Sequence, residues 1–316
     1  MAAKIFIDGE AGTTGLQIRE RLEGRRDLEL ISIDPARRKD EAARAEILNA
    51  ADVAILCLPD DAARQAVGLI QCNATRVIDA STAYRVAPDW TYGFPEMSPD
   101  QRQAIAQSSR VSNPGCYPTG AIALTRPLVQ AGLLPASWPV TINAVSGYSG
   151  GGRSMIAEFE DEASPGFTHE AYRAYGLGLN HKHLAEMRLH AGLDHPPLFA
   201  PAVGRFRQGM IVEVPLQLWA LPGAPRPEDI HAALADAYVG EGFVEVVSLE
   251  DAAAMKGLDP EGLNQTNRMK LFVFGSADNG QVRLAALLDN LGKGASGAAV
   301  QNLNLMLGLD EAAGLA

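Results

Sequence analysis

The sequence predicts an α/β protein: a Rossmann-type parallel-sheet nucleotide domain, then an α+β catalytic domain with a mostly antiparallel sheet. Three observations carry this. Up to residue 115, short and nearly continuous apolar runs alternate with segments of helical spacing, the pattern of a parallel sheet covered on both faces. Beyond it, strand-like runs follow one another with fewer helices between them, and Ile211 to Trp219 alternates apolar and polar residues as a sheet with one covered face does. The 316 residues also suffice for about two domains at roughly 150 residues each.

The elements follow in order. Lys4 to Asp8 is a short apolar strand; glycines at 9, 12 and 15 and a helical Leu16 to Leu22 come after it, giving strand, tight loop and helix. Leu28 to Ile33 is the next strand and Asp40 to Ala50 the next helix. Asp52 to Cys57 is a buried strand, Asp60 to Ile70 a helix with N-cap chemistry at its start, and Thr75 to Asp79 a fourth strand. In the second half, Ala121 to Ala131 reads as a helix. Val140 to Val145, Met210 to Ala220, Phe243 to Val247, Arg268 to Phe274 and Gln281 to Leu288 read as strands. Ser296 to Leu307 sets Ala299, Val300, Leu303, Met306 and Leu307 at helical spacing, so one face of that helix must be buried. There is no internal repeat, and Gly147 to Gly152 is too short to be a linker.

Composition narrows the function. A net charge of −11 repels phosphate backbones and anionic membranes, so neither nucleic acid nor membrane is expected as a partner. No apolar run approaches the about 20 residues that span a bilayer, and Met1 to Lys4 leads straight into a strand, so a cytoplasmic protein is expected. Cys57, Cys72 and Cys116 form no CxxC pair and are odd in number, which argues against a disulfide framework and against a zinc site.

Gly9-Glu-Ala-Gly12-Thr13-Thr14-Gly15 offers a tight turn, close backbone approach to a diphosphate and a helix N-terminus beyond it. Its spacing is G-x-x-G-x-x-G, not the stricter G-x-G-x-x-G, and a plain strand-to-helix turn is the competing account. Its place in the first βαβ unit favours a nucleotide loop. At the end of the second strand, Asp34 suits a ribose 2′-hydroxyl and hence NAD, whereas Arg37-Arg38-Lys39 suits a 2′-phosphate and hence NADP. Solvated loop charges are the plain alternative to both.

Cys116, within Ser112-Asn113-Pro-Gly-Cys116-Tyr-Pro-Thr-Gly120, follows a turn and precedes a helix, where the helix N-terminus favours a thiolate nucleophile. Cys57, at a strand end, and Cys72, in a connection, read instead as small buried hydrophobes. A thiolate needs a base or an ion-pair partner, and the Asn180-His181-Lys182-His183 cluster supplies His181 and His183. The residues leave open which of the two acts, and no acidic or cysteine partner at ligand spacing makes the pair a metal edge.

These stretches, with Phe6 to Gly15, Cys57-Leu58-Pro59-Asp-Asp-Ala-Ala63, Asp79-Ala-Ser81-Thr-Ala-Tyr-Arg85 and Ser146-Gly-Tyr-Ser-Gly150-Gly151-Gly-Arg153, resemble the N-acetyl-γ-glutamyl-phosphate reductases of arginine biosynthesis, in particular their shorter branch. The resemblance runs along essentially the whole chain. It implies NADPH-dependent reduction of N-acetyl-L-glutamyl 5-phosphate to the 5-semialdehyde, with phosphate released. Cys116 would form a thioester; His181 or His183 would hold the thiolate and exchange a proton; the backbone N–H of Cys116 would face the oxyanion. Arg85, Arg153 and Arg205 are substrate candidates, since a dianion entering an acidic protein needs local positive charge, and Asn113 is a fourth. Gly9, Gly12, Thr13, Thr14, Gly15, Asp34, Arg37, Leu58, Pro59, Ser81, Gly150 and Gly151 are the cofactor candidates.

The resemblance also implies that the last helix returns to the nucleotide domain. That domain would comprise residues 1–115 and 295–316, and residues 116–294 would form the catalytic, substrate and oligomerisation domain. The longer branch carries a tyrosine in its glycine-rich loop where this chain has Gly12-Thr13-Thr14-Gly15, so contacts known from that branch do not transfer to the loop. A homodimer or homotetramer is expected, an antiparallel sheet face being a common place for self-association. The rival readings are a related semialdehyde dehydrogenase acting on aspartyl phosphate or an N-blocked aminoadipyl phosphate, and a non-catalytic NADP-sensing protein.

Overall fold

Strand β1 (Ala3–Asp8) sets the frame of the first unit: Ile5, Phe6 and Ile7 are buried on both faces, as in the centre of a covered parallel sheet. The computed structural model describes residues 2–38 and 40–316, and the chain divides into two units. The first comprises the residues up to Pro95, Pro99–Gly115 and Ala295–Ala316; the second comprises Glu96–Ser98 and Cys116–Gly294.

In the first unit, β1 is followed by α1 (Thr13–Leu22), β2 (Leu28–Ile31), α2 (Glu41–Ala50), β3 (Val53–Leu56), α3 (Asp60–Leu69), β4 (Arg76–Asp79), β5 (Thr91–Tyr92), α4 (Gln101–Gln107) and β6 (Arg110–Ser112). The six strands lie in the order β2-β1-β3-β4-β6-β5, every pair parallel. Helix α2 starts where Asp40 caps it, accepting from the Ala42 and Ala43 amides at 2.9 and 3.1 Å. Helix α3 departs from its sequence reading. Pro59 occupies the cap position without a side-chain bond, and Asp60 turns away to accept from the Thr82 amide and hydroxyl at 2.9 and 2.6 Å.

The C-terminal helix Gly297–Leu307 belongs to this unit. Ala299, Val300, Leu303 and Met306 share one core with Ile5, Ile7, Ile18, Leu22 and Val53. Burying a residue such as Leu303 or Val300 contributes about 1.5–3 kcal/mol. The helix is covered on more than the expected single face. Asn302 donates to the Gly93 carbonyl and to Asn113 Oδ1, at 2.9 and 3.2 Å, and Asn304 donates to the carbonyls of Glu311 and Ala313. Its polar positions are thus buried because they hold loops.

The second unit starts with α5 (Cys116–Gln130), which begins five residues before the apolar run that signals it. Pro118 is tolerated because first-turn N–H groups have no helical acceptor. Pro127 lies deeper and leaves the Ala123 carbonyl without its helical donor; the Tyr238 hydroxyl supplies one at 2.9 Å. Then come β7 (Thr141–Gly147), α6 (Gly152–Glu160), β8 (Tyr172–Ala174), α7 (Leu184–Ala191), β9 (Leu198–Gly204), β10 (Met210–Gln217), α8 (Pro227–Ala237), β11 (Val244–Val246), α9 (Leu249–Ala254), β12 (Met269–Ser276) and β13 (Gln281–Leu288).

Seven strands form a mixed sheet in the order β11-β12-β13-β10-β7-β9-β8; the β11–β12 and β7–β9 pairs are parallel and the other four antiparallel. Helix α5 packs on one face so closely that a Cβ at Gly120 would stand 3.0 Å from Val212. Ile211, Phe272, Ala285 and Leu287 cover the other face with Leu258 and Leu263, so the first half of β10 is buried on both sides and its alternation shows only toward Gln217. Among the described residues no helix is long and apolar enough to cross a membrane.

Candidate active site

In the first unit the glycine loop is shaped by what it leaves out. Gly9 has φ +91°, and a Cβ there would fall 2.3 Å from the Cys57 carbonyl oxygen; one at Gly15 would fall 2.5 Å from the Gly9 oxygen. The Gly12 amide closes the turn on the Gly9 carbonyl at 2.9 Å, and α1 starts at Thr13 without a side-chain cap, with Thr14 and Gly15 in its first turn. A helix start of this kind accepts an anion readily.

Beside the loop opens a cavity of about 600 Å³, lined by Gly9, Glu10, Ala11, Ile33, Pro35, Arg38, Arg44, Leu58, Ala62 and Gln65 among others. It lies at the carboxyl end of the parallel strands, where such folds hold their ligands. An apolar wall and two guanidinium groups fit a dinucleotide. Arg44, on α2, is held by Asp8 at 2.7 Å with both side chains mostly buried, and nothing in the sequence pattern singled it out. Asp34 turns its carboxylate to the Ala36 amide at 2.9 Å, and Arg37 is exposed and paired with Asp40 at 3.5 Å. Lys39 lies outside the described residues.

Leu58 lines the cavity, while Pro59 caps α3. Ser81 is buried and donates to Asp79 Oδ2 at 2.6 Å. Asp79, wholly shielded at the end of β4, has its carboxyl pushed up to about 6, chiefly by burial, while Ser81 and Arg85 pull the other way. Arg85 is itself buried: Nε donates to the Asn113 carbonyl at 3.0 Å and Nη2 to the Ala80 carbonyl at 3.1 Å. Asn113 is braced in turn, its Nδ2 donating to the Ala295 carbonyl at 2.9 Å. Both therefore hold the segment that leads, three residues on, to Cys116. Cys57 is unsuited to nucleophilic work, its thiol pushed up to about 12 by burial and by Asp79 and Asp8. Cys72 is exposed, which corrects its reading as a buried hydrophobe.

In the second unit Cys116 is the first residue of α5, with the helix dipole behind it. Its neighbour Tyr117 reaches the other residues of interest. The Tyr117 hydroxyl donates to the Ala202 carbonyl at 3.2 Å and accepts from the Tyr175 hydroxyl at 3.1 Å; its ring centre is 6.2 Å from that of His181 and 6.0 Å from that of His183. Charge at Cys116 helps burial raise both phenols, Tyr175 to about 12, which puts the thiol within electrostatic reach of the pair.

The two imidazoles are edge to face at 4.7 Å, and the His183 amide donates to His181 Nδ1 at 3.2 Å. Neutral His181 therefore carries its proton on Nε2. Burial, then Lys182, lowers the His181 pKa against the opposing pull of Glu186. His183 is buried and caps α7, which packs along α5. Sequence reasoning singled out the cysteine and both histidines but neither Tyr117 nor Tyr175; Tyr117 stands inside the cysteine motif, and Tyr175, six residues before His181, carries no local signal.

The remaining site residues divide. Arg205 donates to the carbonyls of Thr168 and Phe159 and lies over the Phe159 ring, whereas Arg153 is exposed in the first turn of α6. Gly150 and Gly151 form a 3₁₀ turn ahead of that helix. Among the described residues, no group of three or more His, Cys, Asp or Glu could hold a metal ion.

Known proteins resemble the chain along nearly its whole length. Residues 10–105 match the family model of the semialdehyde dehydrogenase NAD binding domain, and residues 116–290 that of the semialdehyde dehydrogenase dimerisation domain. The chain is 60% identical over 309 residues to an N-acetyl-γ-glutamyl-phosphate reductase of Brucella ovis, covering 98% of this chain and 100% of that protein; a Brucella abortus relative of the same name matches to the same extent. Among solved structures, aspartate semialdehyde dehydrogenase II of Vibrio cholerae superposes with a TM-score of 0.69 at 13% identity, over 97% of this chain and 98% of that one.

Proposed function

The chain belongs to the N-acetyl-γ-glutamyl-phosphate reductases of the semialdehyde dehydrogenase family, and from that premise we propose how its residues divide the chemistry. The reaction reduces N-acetyl-L-glutamyl 5-phosphate to N-acetyl-L-glutamate 5-semialdehyde and releases phosphate, a step of arginine biosynthesis. The observation that carries the assignment is Cys116 at the start of α5, linked through Tyr117 to the His181–His183 pair.

The Cys116 thiolate attacks the acyl carbon, the C–O bond to phosphate breaks, and a thioester remains. NADPH, when bound beside the glycine loop, would supply the hydride that reduces it. His181 donates a hydrogen bond from Nε2–H to the oxyanion produced by that reduction; as the oxyanion collapses to a carbonyl the C–S bond breaks, releasing the aldehyde and restoring the thiolate. The backbone N–H of Cys116 stabilises the oxyanion. His183 holds His181 in the tautomer this requires, through the amide bond to Nδ1. Arg153 is the substrate clamp. Arg85, Asn113 and Arg205 serve the substrate indirectly, by bracing the backbone they are bonded to.

The cofactor domain is of the NAD-binding semialdehyde dehydrogenase type, and the finer reading is NADP. Arg38 and Arg44 support it: they line the cavity beside the glycine loop, and Asp34 spends its carboxylate on a backbone amide. Gly9, Gly12, Thr13, Thr14 and Gly15 hold the diphosphate, and Leu58 packs on the base. A cytoplasmic homodimer or homotetramer, assembled through residues 116–294, completes the reading; light scattering at working concentration tests it.

The central test is phosphate-dependent reduction of NADP, and separately NAD, with N-acetylglutamate semialdehyde, run beside aspartate semialdehyde and a Cys116→Ser variant. Activity with the acetylated aldehyde and NADP that vanishes in the variant is the expected result. Equal activity in the variant removes Cys116 as nucleophile, and preference for aspartate semialdehyde moves the chain to a sister activity.

A further inference from the structure

Lys293 and Glu96 form a buried ion pair within the second unit. The ammonium donates to both carboxylate oxygens, at 2.7 and 2.9 Å, and both side chains are almost wholly shielded from water. Phe243 presents its ring to the ammonium, 5.7 Å from Nζ, and the buried Tyr238 feels the carboxylate. No step of the reaction uses either charge. Stability is a poor account of the pair, since removing two ions from water costs about as much as their attraction returns, and apolar replacements of similar volume often hold a fold as well.

The pair is tied to the nucleophile by the turn it anchors. Lys293 belongs to a π-helical turn, Gly292–Ser296, a rare geometry that is frequent at functional sites. The next residue, Gly294, lies directly on Cys116: a Cβ there would stand 2.8 Å from Cys116 Cβ and 3.2 Å from its Cα. The Gly294 amide is fixed to the Asp289 carbonyl at 2.9 Å, and the ion pair fixes the residue before it. Glu96 stands in the Glu96–Ser98 stretch, which joins the second unit although the chain on both sides of it belongs to the first.

We propose that Glu96 and Lys293 are positioning residues for Cys116: the locked ammonium sets the π turn, and the turn's glycine sets where the cysteine carbon and its sulfur stand for attack on the acyl group. This rests on Cys116 being the nucleophile. Attack demands near-contact geometry, and a 1 Å misplacement costs about 10²-fold in rate.

The test replaces the pair by apolar residues of similar volume, Glu96→Leu with Lys293→Met. Expected are a Tm at or above that of the wild-type protein, an unchanged KM for the cofactor, a kcat lower by about 10- to 100-fold, and a shifted pH profile of Cys116 alkylation by iodoacetamide. A folded double variant with wild-type kcat and alkylation profile overturns the proposal. Gly294→Ala, which presses a methyl group on Cys116 with the ion pair intact, is expected to reproduce both losses. If the double variant does not fold, a wild-type alkylation profile in Gly294→Ala overturns the proposal instead. The nucleophile is judged separately. Should Cys116→Ser stay active, that assignment falls, while the alkylation profile of the double variant still decides whether the pair positions the thiol.

Discussion

The glycine loop and the cysteine–histidine cluster are built by opposite means. Around Gly9 and Gly15 the backbone is packed to the point where a single carbon atom would collide with a carbonyl, so the binding surface consists of main chain with side chains removed. Around Cys116 it is side chains that count: next to the thiol stands Tyr117, bonded to the Tyr175 hydroxyl, with the two imidazoles about its ring. A site made by omission fails when atoms are added. A site made of functional groups fails when they are deleted, and its fold survives.

Five measurements break or sharpen that contrast, from the largest effect down. Cys116→Ala is expected to lower kcat about 10⁴-fold or more while leaving cofactor Kd and Tm near their wild-type values, read by steady-state kinetics and thermal unfolding. His181→Gln is expected to cost about 10²- to 10⁴-fold in kcat/KM. Because its pKa lies below the ordinary histidine value, the acid limb of the wild-type pH profile sits correspondingly low and is lost in the variant; if only His183→Gln removes that limb, the two roles are exchanged.

Gly9→Ala behaves in the opposite way: about 3 kcal/mol of stability is lost in urea unfolding, with cofactor affinity, because the methyl group meets the Cys57 carbonyl and φ is positive. Asp79→Asn is expected to stabilise. The carboxyl is raised from 3.8 to about 6 in the folded protein, so its contribution to stability is fully present below about pH 4 and lost as pH rises through 6. The variant therefore gains about 2–3 kcal/mol above pH 6 and nothing below pH 4, as denaturant titrations across that range would read. Least of all, Arg44→Ala is expected to reduce the preference for NADP over NAD about tenfold, near 1.4 kcal/mol, measured as a ratio of Kd values.

Legibility in the sequence followed the range of the interactions. Strands β1 to β4 and the loop from Gly9 to Gly15 are local patterns, and β1, β3 and β4 stand within a residue or two of their apolar runs, whereas β5 and β6 are too short to leave a pattern and went unread. Strand β9 is different. Its Ala and Pro content hides a strand whose pairing with β7, 57 residues away at Thr141↔Leu198, decides its state. The start of α5 went unread because Pro118 and Gly120 break the helical pattern that tertiary packing then enforces.

Cys116, His181 and His183 could be singled out as candidates because reactive residue types stand in small motifs. Arg44, Tyr175, Glu96 and Lys293 acquire their meaning from partners far along the chain, up to 197 residues for the buried pair, and no periodicity reports that. Arg85 and Arg205 show the converse: charge alone suggests a substrate clamp, and only the carbonyls they hold reveal a brace.

The core shared by β1 and the C-terminal helix sets a timetable for synthesis. Ile5 and Ile7 leave the ribosome first, yet Ala299, Val300, Leu303 and Met306, which complete their packing, emerge only after nearly three hundred further residues. The first unit is thus completed only after the whole of the intervening unit has been made. Until then its early strands expose apolar surface, and a ribosome stalled short of Gly297 would present a half-built nucleotide fold to chaperones and proteases.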